Sequence, residues 1–145
     1  MKSFVKEVDI RWSDLDPNAH LRHSVYYDWG AFSRVEFLYA HGLTTGMMQQ
    51  LQFGPILFRE ECVFKKEIRL GDKVTIDLKL IKTRRDYSRW TIEHRILKGE
   101  GVVSAILTVD GAWLDTAKRK LAVPPEQVTD VFSRMPMAEN FEWID

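Results

Sequence analysis

A chain of 145 residues is long enough for one domain with a sizeable core. Its 21 basic and 21 acidic residues cancel, which leaves no global attraction to nucleic acid or to an anionic membrane surface. With 45% hydrophobic and 12% aromatic residues the composition excludes extended disorder, and the single Cys62 excludes an internal disulfide. Met1 leads straight into a strand-like segment, with no apolar signal core and no membrane-length apolar run. A cytoplasmic location is therefore expected, which suits an unpaired thiol.

Residues 3–12 alternate as a half-buried strand, with Phe4, Val8, Ile10 and Trp12 on one face. A polar loop over 13–23 follows, in which Pro17 and Asn18 are turn formers. Ser24 is the expected N-cap of a helix over 24–42 that stops at Gly42. Its apolar residues cover most of the circumference, which predicts a buried helix. Residues 43–55 read as a loop with a short helical turn, ended by Gly54-Pro55. Four strands are then predicted, over 57–70, 73–83, 89–98 and 102–114, joined by short turns in an antiparallel meander. After Pro124-Pro125, EQVTDVF predicts a short helix with Pro at its first position, and the tail 133–145 is unusually apolar for a free terminus.

The element order is thus β-α-ββββ, an α+β arrangement. One apolar helix and one sheet must hide each other's faces, so the sheet curls around the helix, the layout of a hotdog fold. A single domain over 1–145 is expected, with a C-terminal extension from about 116. A lone protomer would leave strand edges and part of the helix uncovered, which predicts a homodimer, or a tetramer built from dimers.

The chemistry-bearing residues crowd into the loop before the helix. Asp14, Asp16, Asn18, His20 and His23 place carboxylates and imidazoles beside a helix N-terminus. That combination offers a general base and oriented backbone N–H donors in one place. Taken alone, each residue also has a plainer role. Asp14 suits a loop cap or salt bridge, Asp16 an Asx turn, and Asn18 a turn former; His94 on a strand's apolar face suits a core histidine, and Cys62 suits the core. A metal site is a weak alternative, because the spacing matches no standard zinc pattern.

The run WSDLDPNAHLRHSVYYDWGAFSRVEFL resembles the signature of hotdog-fold acyl-CoA thioesterases, the 4-hydroxybenzoyl-CoA thioesterase and related families. Their pattern is D-x-D-x-x-G in a loop, a Tyr shortly after, and a helix bearing Arg. Asp14, Asp16 and Pro17 match the loop, and Tyr26 and Arg34 match the helix. The similarity spans residues 1–115, its specific part being this run. It implies that Asp16 is the catalytic carboxylate and that the backbone N–H of His23 receives the oxyanion. The family Gly is Ala19 here, where positive φ is less comfortable, and Arg22 stands where Asn is frequent. Asn18 and His20 resemble instead the D-x-N-x-H segment of plant-type acyl-ACP thioesterases, in which both residues take part in the site.

The expected activity is hydrolysis of an acyl-CoA thioester to free acid and CoA. Asp16 would act as base or nucleophile, Asn18 would orient water, and His20 would assist proton transfer. Tyr26 is expected at the substrate. Arg84, Arg85 and Arg89, at a strand–strand turn, read singly as a solvated hairpin tip; their functional reading is that some of them meet the CoA phosphates. Met47, Met48, Leu51 and Phe53 suit the lining of an acyl pocket and, equally, ordinary loop packing. No cofactor and no metal is expected, and neither nucleic acid nor membrane is an expected partner. The competing readings are an acyl-ACP thioesterase, a hotdog hydratase, and a hotdog module that binds acyl thioesters without turnover.

Overall fold

The computed structural model describes residues 3–144, so residues 1, 2 and 145 of the expected domain lie outside it. The N-terminal alternation gives β1 (Val5–Val8), and the chain then turns through a short 3-10 segment (Trp12–Asp14). Trp12 was expected on the inner face of this strand but is 82% exposed. The cause is local: the backbone N–H of Arg11 donates to the carboxylate of Asp14 at 2.9 Å, which bends the chain out of the sheet. Helix α1 (His23–Ala40) and a short α2 (Thr45–Leu51) follow, the latter capped by Thr44. The remaining elements are β2 (Phe53–Phe64), β3 (Val74–Asp77), β4 (Lys79–Thr83), β5 (Arg89–Lys98), β6 (Val102–Asp115), β7 (Lys120–Leu121), α3 (Glu126–Phe132) and β8 (Met137–Trp143).

The sheet runs β2–β6–β5, then β3 and β4 end to end along the far edge of β5, all antiparallel. Beyond that edge, β1 pairs β3 antiparallel and β8 pairs β4 in parallel. This is a hotdog fold, an α+β structure in which a curled, mainly antiparallel sheet wraps α1. The last element is not part of a simple meander. It returns beside β4, while Val128, Val131 and Phe132 of α3 enter the main apolar cluster with Leu78, Leu80 and Trp113. Pro125 is the N-cap of α3, not its first helical residue.

Two of the expected strands are interrupted. The strand expected over 73–83 breaks at the fully buried Leu78. There Asp77 turns its carbonyl oxygen to His94 Nδ1 at 2.8 Å and its carboxylate to the Arg95 N–H at 2.6 Å. The strand expected over 57–70 starts earlier, at Phe53, and ends at Phe64. A bulge between Leu57 and Arg59 takes Phe58 off the face that Cys62 and Phe64 share, and Phe58 is exposed. After Phe64 the amides of Lys65 and Lys66 both donate to Ser104 O, and Ile68 O accepts from Leu21 N at 2.7 Å. Residues 65–69 therefore leave the sheet and hold the loop before α1.

Helix α1 is less enclosed than its composition predicts. Val25, Tyr26, Trp29, Phe37 and Leu38 are buried against the sheet, whereas Phe32, Val35 and Tyr39 are exposed. Its approach to the sheet is close at Gly30, where a Cβ would lie 2.2 Å from Leu107 Cδ2. One turn further on, Arg34 Nη1 reaches the buried His94 Nε2 at 3.0 Å, and Arg34 Nη2 lies 3.7 Å from Glu60. A guanidinium only donates, so Nε2 of His94 carries no proton and Nδ1–H donates to Asp77 O. Burial, and then the Arg34 charge, push His94 down to about 3. The Asp77 carbonyl opposes that shift.

Gly111 sits in mid-strand because Trp90 lies over it. A Cβ there would be 2.3 Å from Trp90 Cη2 and 2.7 Å from the backbone oxygen of Ile56, which cannot move aside. Gly111→Ala should therefore cost about 1–3 kcal/mol of unfolding free energy, measured by urea denaturation. A second expectation concerns pH. The folded-state value of His94, about 3, lies below the ordinary 6.5, so between these values the unfolded chain binds the proton more readily. The stability contributed by the neutral ring is complete above pH 6.5 and is lost as pH falls toward 3. Between pH 6.5 and 5 this ring accounts for a loss of about 2 kcal/mol. His94→Gln should be less stable at pH 7 and should lose less over that interval; identical losses in both proteins would contradict the assignment.

Candidate active site

The loop ahead of α1 is built around the Asp16 side chain. Its Oδ1 accepts the N–H of Asn18 at 2.9 Å and the N–H of His20 at 3.1 Å. The Asp16 N–H donates to His20 O at 2.8 Å, and Ala19 N–H donates to Asp16 O at 2.9 Å. Ala19 takes φ 65°, the left-handed conformation that a glycine would enter more easily. The Asx-turn role of Asp16 is thus real, yet it uses one oxygen. Oδ2 makes no hydrogen bond within the described residues and remains available to a ligand.

Asp14 has a different role. It is buried, and Arg11 donates to it from Nη2 at 3.0 Å; that hydrogen bond holds its carboxyl below the usual range, against the opposing effect of burial. Its backbone oxygen accepts from Arg22 N at 2.7 Å. Arg22 in turn donates from Nη1 to Ser13 O at 2.7 Å and from Nε to Ser24 Oγ at 2.8 Å. Ser24 is consequently not the N-cap. Arg22 is, and no side chain caps the helix, so the amides of His23 and Ser24 are left at the positive end of the α1 dipole.

These groups open onto one cleft of about 320 Å³, bordered by Asp16, His20, His23 and Tyr26 on the loop and helix side and by Lys65, Lys66 and Glu67 opposite. His20 Nε2 lies 3.0 Å from Glu67 Oε2, which also accepts from Arg69 at 2.7 Å through its other oxygen. Tyr26 is buried, its ring edge-on to Phe64 at 4.9 Å. Burial first, then the nearby Cys62 and Asp16, push its phenol up to about 12, so it remains a hydrogen-bond donor. Burial likewise pushes the Cys62 thiol up to about 11.

Four of the expected site residues, Asp16, His20, His23 and Tyr26, therefore meet at this cleft. Asn18 lies in the same loop with its side chain exposed, and its contact to Asp16 is through the backbone. Arg84, Arg85 and Arg89 lie on the β4–β5 hairpin and do not border the cleft within one protomer. Arg85 stacks 4.9 Å above Trp143, and Arg89 lies 5.1 Å above Phe58. Met48, Leu51 and Phe53 pack against the main core cluster, and Met47 is exposed. Lys65, Lys66 and Glu67 were not singled out from sequence, because they continued the alternation of a strand; their lysine pair was the visible signal. Among the described residues no group of three His, Cys, Asp or Glu side chains could hold a metal ion. Among them, too, no helix is long and apolar enough to cross a membrane.

A carboxylate with one free oxygen, two uncapped amides at a helix start and an open cleft between them can activate water and receive a developing oxyanion. No curated protein matches the chain. Among solved structures, a hypothetical protein of Staphylococcus aureus in complex with CoA is 20% identical, with a TM-score of 0.82 over 94% of this chain and 88% of that one. A 1,4-dihydroxy-2-naphthoyl-CoA thioesterase from Synechocystis is 16% identical, with a TM-score of 0.81 over 92% and 97%. A thioesterase from Thermus thermophilus complexed with coenzyme A and Zn is 24% identical, with a TM-score of 0.72 over 90% and 93%. Identities at this level establish a shared fold. The sequence profile of the thioesterase-like superfamily matches residues 10–132, and the chain belongs to that superfamily.

Proposed function

We propose that the protein hydrolyses an acyl-CoA thioester at the Asp16 cleft, giving free acid and CoA. The observation that carries this reading is the position of Asp16: one oxygen is fixed by its own loop, and the other is free beside the uncapped start of α1. A thioester carbonyl is already electrophilic and its thiolate leaves readily. The site then needs an activated oxygen nucleophile and a donor for the tetrahedral oxyanion. Asp16 Oδ2 deprotonates water, or attacks to form a mixed anhydride. The N–H of His23, with the helix dipole behind it, receives the oxyanion; loss of such a donor costs about 3 kcal/mol in comparable sites. His20, aligned by Glu67, relays protons at the cleft, and the Tyr26 hydroxyl offers a second donor. Lys65 and Lys66 suit the nucleotide phosphates. Arg84, Arg85 and Arg89 would serve that purpose from a partner subunit.

The same reading includes a homodimer. In one protomer β2 hydrogen-bonds to β6 along one side, and among the described residues no strand pairs its other edge. Leu57, Phe58, Val63 and Phe64 of β2 are exposed, and Leu57 lines one cavity with the exposed Val35 of α1. A long open edge flanked by apolar side chains is the kind of surface that a second copy covers. Sedimentation at micromolar concentration should give twice the chain mass, and Val63→Lys should shift the equilibrium toward monomer; a monomeric wild type would refute the interface.

Asp16→Asn is a clean test of the chemistry, because an amide oxygen can still accept the Asn18 and His20 N–H groups and keep the loop. Turnover across a panel of acyl-CoA substrates, with matched acyl-ACP substrates alongside, should fall by at least ~10²-fold with unchanged circular dichroism. Wild-type rates in this variant would remove Asp16 from the mechanism. Binding without hydrolysis by the wild type would identify a non-catalytic acyl-thioester module.

A further inference from the structure

The segment that leaves β2 after Phe64 meets the Asp16 loop through Glu67, whose carboxylate is divided between two partners. Oε2 lies 3.0 Å from His20 Nε2, and Oε1 accepts from Arg69 Nη2 at 2.7 Å. Arg69 is itself pinned: its N–H donates to Asp72 Oδ2 at 2.9 Å, and its carbonyl accepts the Asp72 N–H at 3.1 Å. The backbone oxygen of Glu67 accepts from Lys98 Nζ at 2.6 Å, and a β-bridge joins His20 to Arg69. The Arg69 hydrogen bond holds the Glu67 carboxyl below the usual range, so it remains an acceptor. The side chains of His20 and Glu67 are 29% and 48% exposed, and an ion pair in that setting adds little to stability. Its effect is on the ring.

A carboxylate only accepts hydrogen bonds, so Nε2 of His20 carries a proton, and in the neutral ring Nδ1 then bears a lone pair. Nδ1 has no hydrogen-bond partner among the described residues and is not buried. The ring borders the cleft that Asp16 also borders. The cleft therefore receives two acceptors, Asp16 Oδ2 and His20 Nδ1. A water molecule has two O–H groups to give, one to each, which leaves an oxygen lone pair for an acyl carbon. The opposite tautomer would present an N–H at the same place and compete for that lone pair.

We propose that Glu67 and Arg69 are positioning residues: Arg69 fixes Glu67, Glu67 fixes His20 as the Nε2–H tautomer, and Nδ1 accepts one hydrogen bond from the water that Asp16 activates. The role of that water rests on the thioesterase reading above; the tautomer does not.

Glu67→Gln separates the possibilities. Arg69 only donates, so it keeps the amide oxygen and leaves the amide NH₂ toward His20 Nε2, which must then give up its proton. Long-range ¹H–¹⁵N spectra of labelled protein at about pH 8, where histidine rings are neutral, report the tautomer, with His20→Gln identifying the signals. The wild type should show Nε2 protonated and Nδ1 bare. Glu67→Gln should invert the pair with unchanged circular dichroism. Its kcat on an acyl-CoA substrate should fall roughly tenfold at unchanged KM, the worth of one hydrogen bond. Arg69→Met should give mixed tautomers, and Arg69→Lys, which still reaches Glu67 as a donor, should restore the single one. A wild-type ring protonated at Nδ1, an uninverted ring in Glu67→Gln, an inverted ring with unchanged kcat, or a rise in KM alone would each overturn the proposal. The spectra need no substrate, so a wild type that hydrolyses no acyl-CoA would refute the thioesterase reading and leave the tautomer standing.

Discussion

The close seating of α1 on the sheet is the constraint from which the rest of the molecule follows. At Gly30 the helix backbone approaches until a single methyl group would collide with Leu107, and that same missing side chain leaves Arg34 room to reach His94. The cost of burying an imidazole and a guanidinium between two apolar layers is offset because each finds a partner: His94 gives its one proton to Asp77 O and accepts from Arg34, while Glu60 balances the charge. Asp77 can supply that carbonyl because the strand is interrupted beside it at Leu78. The break in the β3–β4 strand, the neutral histidine and the helix position are one arrangement.

Given that seating, the start of α1 is delivered to the sheet margin, and the loop before it is fastened from both sides. Arg11 and Arg22 secure Asp14 and Ser13, while Ile68 O and Glu67 hold Leu21 and His20 from the segment that leaves β2. The anchors use backbone groups and residues other than Asp16 Oδ2 and the His23 amide. The groups proposed to act on substrate are therefore fixed before any substrate arrives, and their dipoles need little reorganisation as charge develops. A helix start without a side-chain cap forgoes about 1 kcal/mol of helix stability. Here that leaves N–H donors open at the cleft.

How much of this is readable from the chain varies by element. Period-2 alternation located β5 at its observed bounds, and a continuous apolar run located β6 to within a residue, as suits a strand paired along both edges. The same alternation carried on past Phe64, where the segment instead gives its amides to one carbonyl of β6; sequence periodicity records side-chain order and says nothing about where a ladder ends. Trp12 was placed inside by the same rule, and the Asp14 turn overrode it. The apolar circumference of α1 predicted full burial, but composition does not distinguish a face buried by its own sheet from one left for another surface. The parallel β8 was illegible because its pairing with β4 is non-local. At the site, the crowding of Asp16, His20 and His23 was visible. Choosing Asp16 over its Asx-turn role needed the family resemblance, and the geometry shows that one carboxylate can serve both uses.

The surroundings of the other reactive groups also narrow the chemistry open to this fold. Cys62 is near Tyr26, but burial pushes its thiol up to about 11, far from the thiolate that a nucleophilic cysteine requires. His94 is the most buried imidazole, and its two nitrogens are engaged with Asp77 and Arg34, so it has no proton to exchange with a substrate. Asp14 is held as an ion pair that braces the loop. Each of these side chains is fixed in a role that the fold itself requires. What remains at the cleft is a carboxylate with a free oxygen, flanked by imidazoles and facing open amides. A thiolate leaves more readily than an amine or an alkoxide, so a carboxylate of this kind suits the thioester hydrolysis proposed above.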